Sequence, residues 1–333
     1  MPSTVVIGGF FGDEGKGKII SYLAIQDKPT IVVRGGAGPN AGHTIKDGGK
    51  TYKVRMLPSG FLNKDARVMV GPGVVVNPDV LLNEINDFGV EGRAYVDNNC
   101  GIIEQSHRDT DSKGQLKEKI GSTGSGTGPA NAERAMRTLK LAKEIDNLKQ
   151  YLIDVPLEIN TALDLGENVL VEGTQGTHLS LWHGTYPFVT TKDVTASGIC
   201  ADVGIGPKRV DEVIVVFKSY LTRVGTGPMP GELDADETSK KGWEEFGTVT
   251  GRLRRAAEFD FDLARRAVML SSATQISITK LDVRFPSCAG ATSYNDLDDD
   301  ARIFIKNIET ELGVSVTLIG TGPRVNDVID LRT

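Results

Sequence analysis

Residues suited to handling phosphate and protons gather near the start of this chain of 333 residues, in the string Gly8-Gly9-Phe10-Phe11-Gly12-Asp13-Glu14-Gly15-Lys16-Gly17-Lys18. A short apolar run at 4–7 precedes it, and the helical pattern Ile19-Ile20-Ser21-Tyr22-Leu23 follows. A glycine loop at a helix N-terminus directs N–H groups at an anion and a lysine adds a point charge, so the loop suits a phosphate. It is not a loop of the Walker type, because Gly17 stands where Ser or Thr would hold magnesium and the glycine spacing differs. Taken alone, it also fits a tight strand-to-helix turn with solvated lysines. Two other stretches carry charge. Arg252, Arg254 and Arg255 form a dense basic run behind Gly247-Thr248-Val249-Thr250-Gly251, and by itself such a run is more often a solvated face. Thr279-Lys280-Leu281-Asp282 closes a short β-branched run. A carboxylate there can accept from the N1 and exocyclic N–H groups of guanine while the lysine stem lies along the ring, a pattern that adenine reverses.

Elements must hold these residues in place. Apolar, β-branched runs at 4–7, 31–33, 74–76, 169–171, 213–217, 276–279 and 314–319 recur between helical patterns and lack polar alternation, as strands buried on both faces do. Asn77-Pro78-Asp79 opens a helix over 80–88, with Asn as cap, Pro in the first turn and Asp complementing the dipole. The stretches 131–151 and 300–312 read as helices too, the second ending at Gly313. Strands alternating with helices predict an α/β fold, a predominantly parallel, doubly wound central sheet flanked by helices, with ligands at the carboxyl ends of the strands. The 39 glycines exceed the average of about 7% and cluster at 8–17, 35–42, 121–128, 173–176, 225–231 and 320–322. They predict glycine-rich loops at the strand ends, permissive in backbone and rich in N–H donors. The whole stretch 1–333 reads as a single domain of this kind.

Composition excludes several classes. With 39% apolar and 25% charged residues the chain can bury a large core, and its formal net charge of −6 argues against a nucleic-acid backbone or an anionic membrane as main partner. Cys100, Cys200 and Cys288 are widely spaced, so neither a disulfide framework nor a zinc site is indicated. No leader-like segment opens the chain, and no run approaches the roughly 18 apolar residues of a membrane span. A cytoplasmic location is the expectation.

The sequence resembles the adenylosuccinate synthetase family, and the resemblance runs through nearly the whole chain. After Gly12-Asp13-Glu14-Gly15-Lys16-Gly17-Lys18 come Asn40-Ala41-Gly42-His43-Thr44, Gly121-Ser122-Thr123-Gly124-Ser125-Gly126-Thr127-Gly128-Pro129-Ala130 and Val171-Glu172-Gly173-Thr174-Gln175-Gly176-Thr177. His183-Gly184-Thr185-Tyr186-Pro187-Phe188-Val189-Thr190, Thr222-Arg223-Val224-Gly225, Gly247-Thr248-Val249-Thr250-Gly251-Arg252, Thr279-Lys280-Leu281-Asp282 and Thr321-Gly322-Pro323 complete the order. The resemblance implies a ligase that joins L-aspartate to C6 of a 6-oxopurine nucleotide at the expense of GTP, through a 6-phosphoryl intermediate. A 6-oxo group leaves poorly, so it must first become a phosphate ester, which requires removing the N1 proton while the 6-oxygen attacks a γ-phosphate.

By the same resemblance Asp13 is the base and, with Gly42, joins the shell of a Mg²⁺ cofactor. His43 is the acid that steadies the phosphoryl group in transit, with Lys16 and Gln175 completing the catalytic set. Asn40, Ser122, Thr123, Arg137, Gln175, Thr190, Val224 and Arg252 take the acceptor nucleotide, Arg137 from across a homodimer. Thr248, Val249, Thr250, Arg252 and Arg254 take L-aspartate, whose two carboxylates match guanidinium forks. Gly12, Glu14, Gly15, Lys16, Gly17, Gly42, Thr44, Lys280, Asp282, Gly320 and Gly322 take GTP. His107, His178 and His183 have no matching role and read as structural. Three departures stand out: the chain is short for the family, Phe10-Phe11 replaces the usual Gln-Trp, and Gly320 stands where many relatives have Ser. The blocks look most like the compact archaeal branch. A viral branch uses dGMP in place of IMP, but its loop aspartate is typically Ser, and this chain keeps Asp13, which favours IMP. A GTP-binding regulatory module is the rival class; the guanine-type string fits it, whereas Asp13, His43 and the arginine run speak against it.

Overall fold

A computed structural model describes residues 3–113, 116–247 and 251–332. Ten strands form one sheet, in the order Val328–Asp330, Val316–Gly320, Gln275–Thr279, Glu212–Lys218, Ser3–Gly8, Val169–Glu172, Ile31–Arg34, Arg67–Val70, Ala94–Asp97 and Leu152–Ile153. Every pairing is parallel except that of Val328–Asp330 with Val316–Gly320. Alternate residues of the central strands serve opposite faces. Val5, Ile7, Val33, Val171 and Val215 pack in one apolar layer, and Val6, Val32, Leu170, Ile214 and Val216 in the other. Both faces are buried, which is why these runs carry no polar alternation. The predominantly parallel α/β sheet is the architecture the sequence predicted.

Two helices start and stop as their residues dictate. Asn77 Oδ1 accepts from Asp79 N and Val80 N at 3.1 and 3.3 Å ahead of the helix Pro78–Phe88. The helix Asp299–Leu312 ends on Gly313 at φ 66°, a left-handed geometry that glycine adopts without steric cost. None of the helices among the described residues is long and apolar enough to cross a membrane.

Two expectations fail. The run 74–76 does not join the main sheet; Val75–Val76 pairs with Gly101–Ile102 in a separate two-stranded ribbon. The stretch 131–151 is not a helix. The helix Thr127–Met136 stops at Arg137, whose φ is 67°, and the rest folds as the 3₁₀ turns Ala142–Glu144 and Asp146–Tyr151. The cause is tertiary. Ile102 N donates to Lys140 O at 2.9 Å and Ala142 N to Cys100 O at 2.8 Å, so the ribbon captures backbone groups that a helix would have used internally. Strands Arg67–Val70 and Ala94–Asp97 and the hairpin His43–Asp47/Lys50–Val54 were not expected. The hairpin turns on Gly48 and Gly49 at φ 51° and 78°, the two positive values that a tight hairpin turn of the primed type requires.

Candidate active site

The carboxyl ends of the five strands nearest the sheet centre carry the loops of interest: 9–15 after Ser3–Gly8, 35–42 after Ile31–Arg34, 173–176 after Val169–Glu172, 219–220 after Glu212–Lys218, and Lys280 after Gln275–Thr279. The loop at 9–15 is braced from within. Glu14, 1% exposed, accepts from Phe10 N at 3.0 Å and Gly12 N at 2.8 Å and pairs with Lys16 Nζ at 2.7 Å. Lys16 Nζ also donates to the Gln175 carbonyl, and the Thr279 hydroxyl to the Glu14 carbonyl. The Glu14 carboxylate is thus spent on bracing the loop, and Glu14 lines neither of the cavities described below. The glycines are steric necessities: a Cβ on Gly8 would lie 2.4 Å from Gln175 O, and one on Gly17 2.7 Å from His43 Cβ. Asp13, Arg137, Gln175 and Lys280 are four of six non-glycine residues at positive φ among those described. Side chains at such angles are held by surrounding structure and cluster where function needs them.

Two cavities open on this edge, of about 370 and 400 Å³, and they share Asp13, Lys16, Gly42 and His43 as common wall. The first is lined by Asn40, Ser122, Thr123, Gln175, Thr190, Val224 and Arg252, with apolar surface from Phe11, Leu179 and Phe188. The second is lined by Gly15, Gly17, Thr44, Arg254, Lys280 and Gly322. Of the residues expected to hold the acceptor, Asn40, Ser122, Thr123, Gln175, Thr190, Val224 and Arg252 line the first cavity, and of those expected to hold GTP, Gly15, Gly17, Thr44, Lys280 and Gly322 line only the second, with Lys16 and Gly42 on both.

At the common wall His43 sits with Nδ1 2.5 Å from Glu172 Oε1 and 2.9 Å from Ser59 Oγ. Glu172 is wholly buried and also accepts from Ser59 N and Oγ, with Arg34 at 3.8 Å. Burial pulls the His43 pKa below its ordinary value, and Glu172 opposes that only in part. The resting imidazole is then neutral, with Nδ1–H committed to Glu172 and Nε2 the nitrogen left for a ligand. Gln175 is fixed in the complementary sense. The Thr174 hydroxyl donates to its Oε1, and its buried Nε2 finds no partner among the described residues. A buried, unpaired amide donor costs free energy until an acceptor arrives, so the site is built for an oxygen there. Asn40 has the converse character, donating to Thr190 Oγ1 at 3.4 Å while its buried Oδ1 lacks a partner among the described residues.

Other expected residues fall less simply. Ser122 Oγ donates to Asp111 at 2.6 Å, and Asp111 also accepts from Gly126 N at 2.8 Å, so an internal acid shapes this loop. Arg252 donates to the Gly121 carbonyl at 2.8 Å. Gly12 lines only the first cavity, and Arg137, Asp282 and Gly320 line neither. Arg137 is exposed at the end of its helix. Asp282 is half-buried in the first turn of Leu281–Arg284, where burial raises its pKa against the pull of Lys280 and Lys18. Thr248, Val249 and Thr250 lie outside the described residues. Sequence reasoning did not assign roles to Glu172, Ser59, Asp111 or Lys18. Lys18 Nζ donates to Gly322 O at 2.7 Å and Asp327 O at 2.6 Å, and burial lowers its pKa to about 8. It ties the first helix to the far wall of the second cavity. Only Lys18 and Glu172 stood within motifs that could have signalled them.

The family model for adenylosuccinate synthetase matches residues 5–145 and 138–286. This chain belongs to the adenylosuccinate synthetase family. It is 56% identical over 333 residues to the adenylosuccinate synthetase of Methanocaldococcus jannaschii, covering 99% of this chain and 96% of that one. It is 52% identical to that of Archaeoglobus fulgidus, covering 100% and 99%. Among solved structures it matches a fully ligated adenylosuccinate synthetase from Plasmodium falciparum with a TM-score of 0.92 at 27% identity, covering 99% of both chains. It matches the cyanophage S-2L succinoaminodeoxyadenylate synthetase, bound to dGMP and to dATP as an energy donor, with a TM-score of 0.82 at 27% identity, covering 100% and 96%. As a member of the adenylosuccinate synthetase family, the chain is a ligase that forms a carbon–nitrogen bond.

Proposed function

We propose that this chain converts IMP, L-aspartate and GTP to adenylosuccinate, GDP and phosphate. The observation that carries the reading is the wall of Asp13, Lys16, Gly42 and His43 between the two cavities. With IMP in the first cavity and GTP in the second, that wall is where the 6-oxygen and the γ-phosphate must meet. Asp13 takes the N1 proton, the 6-oxygen attacks the γ-phosphorus, and the bond to the β-phosphate oxygen breaks to release GDP. The amine of aspartate then attacks C6, loses a proton and expels phosphate. Gln175 Nε2 serves as donor to the 6-oxygen. His43, held by Glu172, is placed to become charged beside the migrating phosphoryl group and to donate to it through Nε2.

Asp13 and Gly42, both on the common wall, would hold Mg²⁺ through carboxylate and backbone carbonyl oxygens, donors that suit a hard cation which takes one or two carboxylates and fills its shell with phosphate oxygens and water. No group of three or more His, Cys, Asp or Glu side chains that could hold a metal ion occurs among the described residues. When bound, Mg²⁺ neutralises phosphate charge during transfer. Arg137, exposed and outside both cavities, is available to the partner subunit's nucleotide in a homodimer.

The acceptor base is tested by offering IMP, dIMP, GMP and dGMP separately with GTP and aspartate and weighing each product. Succinylation of IMP is the expected result; product from dGMP alone would move the chain to the chemistry of the cyanophage relative. Arg254→Leu is expected to raise the aspartate KM by about 10- to 150-fold, the loss of a charge-assisted contact of about 1.5–3 kcal/mol, with little change for either nucleotide. Equal effects on all three substrates place Arg254 elsewhere. Asp282→Asn is expected to weaken GTP and improve the relative use of ITP or XTP, because the acceptor pattern at the purine edge changes. An unchanged donor preference shows that Asp282 does not read the base.

A further inference from the structure

On the wall of the second cavity lies a carboxylate, Glu245, that the scheme above leaves unused. Glu245 and Arg254 face each other across the neck of the loop that leads to Gly251 and Arg252. Arg254 N donates to Glu245 O at 2.8 Å, Gly247 N to Arg252 O at 2.8 Å, and Phe246 and Leu253 form an antiparallel bridge between them. The backbone thereby fixes the pair and leaves only the side chains able to change partners.

Arg254 holds two carboxylates of its own chain: Nε is 2.9 Å from Asp13 Oδ2, and Nη1 is bonded to Glu245 Oε2. One arm of the guanidinium assigned to a substrate carboxylate, Nη1, is already hydrogen-bonded, while Nε meets Asp13 as an ion pair and makes no hydrogen bond among the described residues. Glu245 has further partners. Lys218 Nζ lies 2.9 Å from Oε2, Lys280 Nζ 3.6 Å from Oε1, and the Tyr220 hydroxyl donates to Oε1. Lys218 is 2% exposed and its remaining polar contact is Thr222 Oγ1 at 2.7 Å. Removing one partner of a buried ion pair is costly when it strands a charge. Glu245 can release Arg254 without being stranded, because two ammonium groups and a hydroxyl stay with it.

We propose that Glu245 stands in for the amino-acid carboxylate on Arg254 until aspartate arrives, and that Lys218 is the cation that keeps Glu245 when it lets go. The inference rests on the reading of Arg254 as an aspartate-binding residue. One carboxylate leaves the guanidinium as another reaches it, so the arginine is never left uncovered. Glu245 and Lys218 are positioning residues, acting on the amino acid through Arg254.

The test is steady-state kinetics at saturating IMP and GTP with aspartate varied, together with inhibition by succinate, which has no amine to react. Glu245→Gln removes the internal competitor and is expected to lower both the aspartate KM and the succinate Ki about fivefold, part of the worth of a charge-assisted contact, with the IMP KM unchanged. An unchanged or raised aspartate KM overturns the proposal. Lys218→Met tests the idea without touching Glu245: with its alternative partner gone, Glu245 stays on Arg254, and the aspartate KM rises. That rise must vanish in the Glu245→Gln/Lys218→Met double variant; if it persists, Lys218 is structural support and the proposal falls. Arg254→Leu separates the two levels. If it leaves the aspartate KM unchanged, the assignment of Arg254 fails; if it raises the KM while Glu245→Gln does so too, the stand-in role alone fails.

Discussion

Asp13→Ala is expected to reduce turnover by about 10²- to 10⁴-fold, the usual contribution of a positioned general base, while both nucleotides still bind. Asp13 lines both cavities and has a φ of 62°, so its carboxylate is held between the chambers by a backbone that few residues tolerate. The proton it removes must leave as the 6-oxygen attacks, and that charge develops only in the transition state, so the loss falls on kcat more than on nucleotide binding. Alanine also meets strain at this angle. Asp13→Asn separates the two effects, since asparagine accepts the left-handed conformation and keeps the shape but cannot take the proton. Single-turnover phosphate release, with nucleotide binding followed separately, is the measurement. More than a tenth of wild-type turnover in both variants would remove Asp13 from the role of base.

His43→Asn is expected to cost a similar factor for a different reason. The amide keeps a donor but cannot become charged beside the migrating phosphoryl group. Burial holds the free imidazole neutral, so the cation must be favoured by the arriving triphosphate and by Glu172, 2.5 Å from Nδ1. Glu172→Gln should therefore reproduce part of the loss. His43 is needed protonated, so activity in the ternary complex falls as pH rises through its pKa there, and removing the Glu172 charge lowers that pKa and moves the alkaline limb to lower pH. A profile that does not move in Glu172→Gln would show that Glu172 supports the fold of the wall and not the charge of His43.

Much of this site is legible in the chain because local chemistry and tertiary role agree. A strand, a run of glycines, two acids and two lysines at 4–18 spell a loop closed against a helix N-terminus, and the close approaches to Gly8 and Gly17 show why nothing larger fits. The apolar runs at 4–7, 169–171 and 213–217 lack polar alternation because both sheet faces are covered, and burial on two sides leaves that mark in any sequence. The capping residues Asn77 and Gly313 likewise act within a few residues of themselves. Where partners are distant in sequence, the chain alone is mute. Whether 131–151 continues as a helix was decided by a ribbon at Gly101–Ile102 that takes its backbone groups. In the sequence Glu172 stood within a motif, just after the apolar run 169–171, with nothing to name its partner; that it faces His43, 129 positions away by the difference 172 − 43, follows from the sheet order, which places its strand beside Ile31–Arg34. The same holds for Arg254, whose type suits a substrate carboxylate but whose present partners, Asp13 and Glu245, were set by packing. Residue types determined which chemistry this protein could perform, whereas only the tertiary structure decided which charges meet, because electrostatic pairing depends on separation in space and the sequence records separation along the chain.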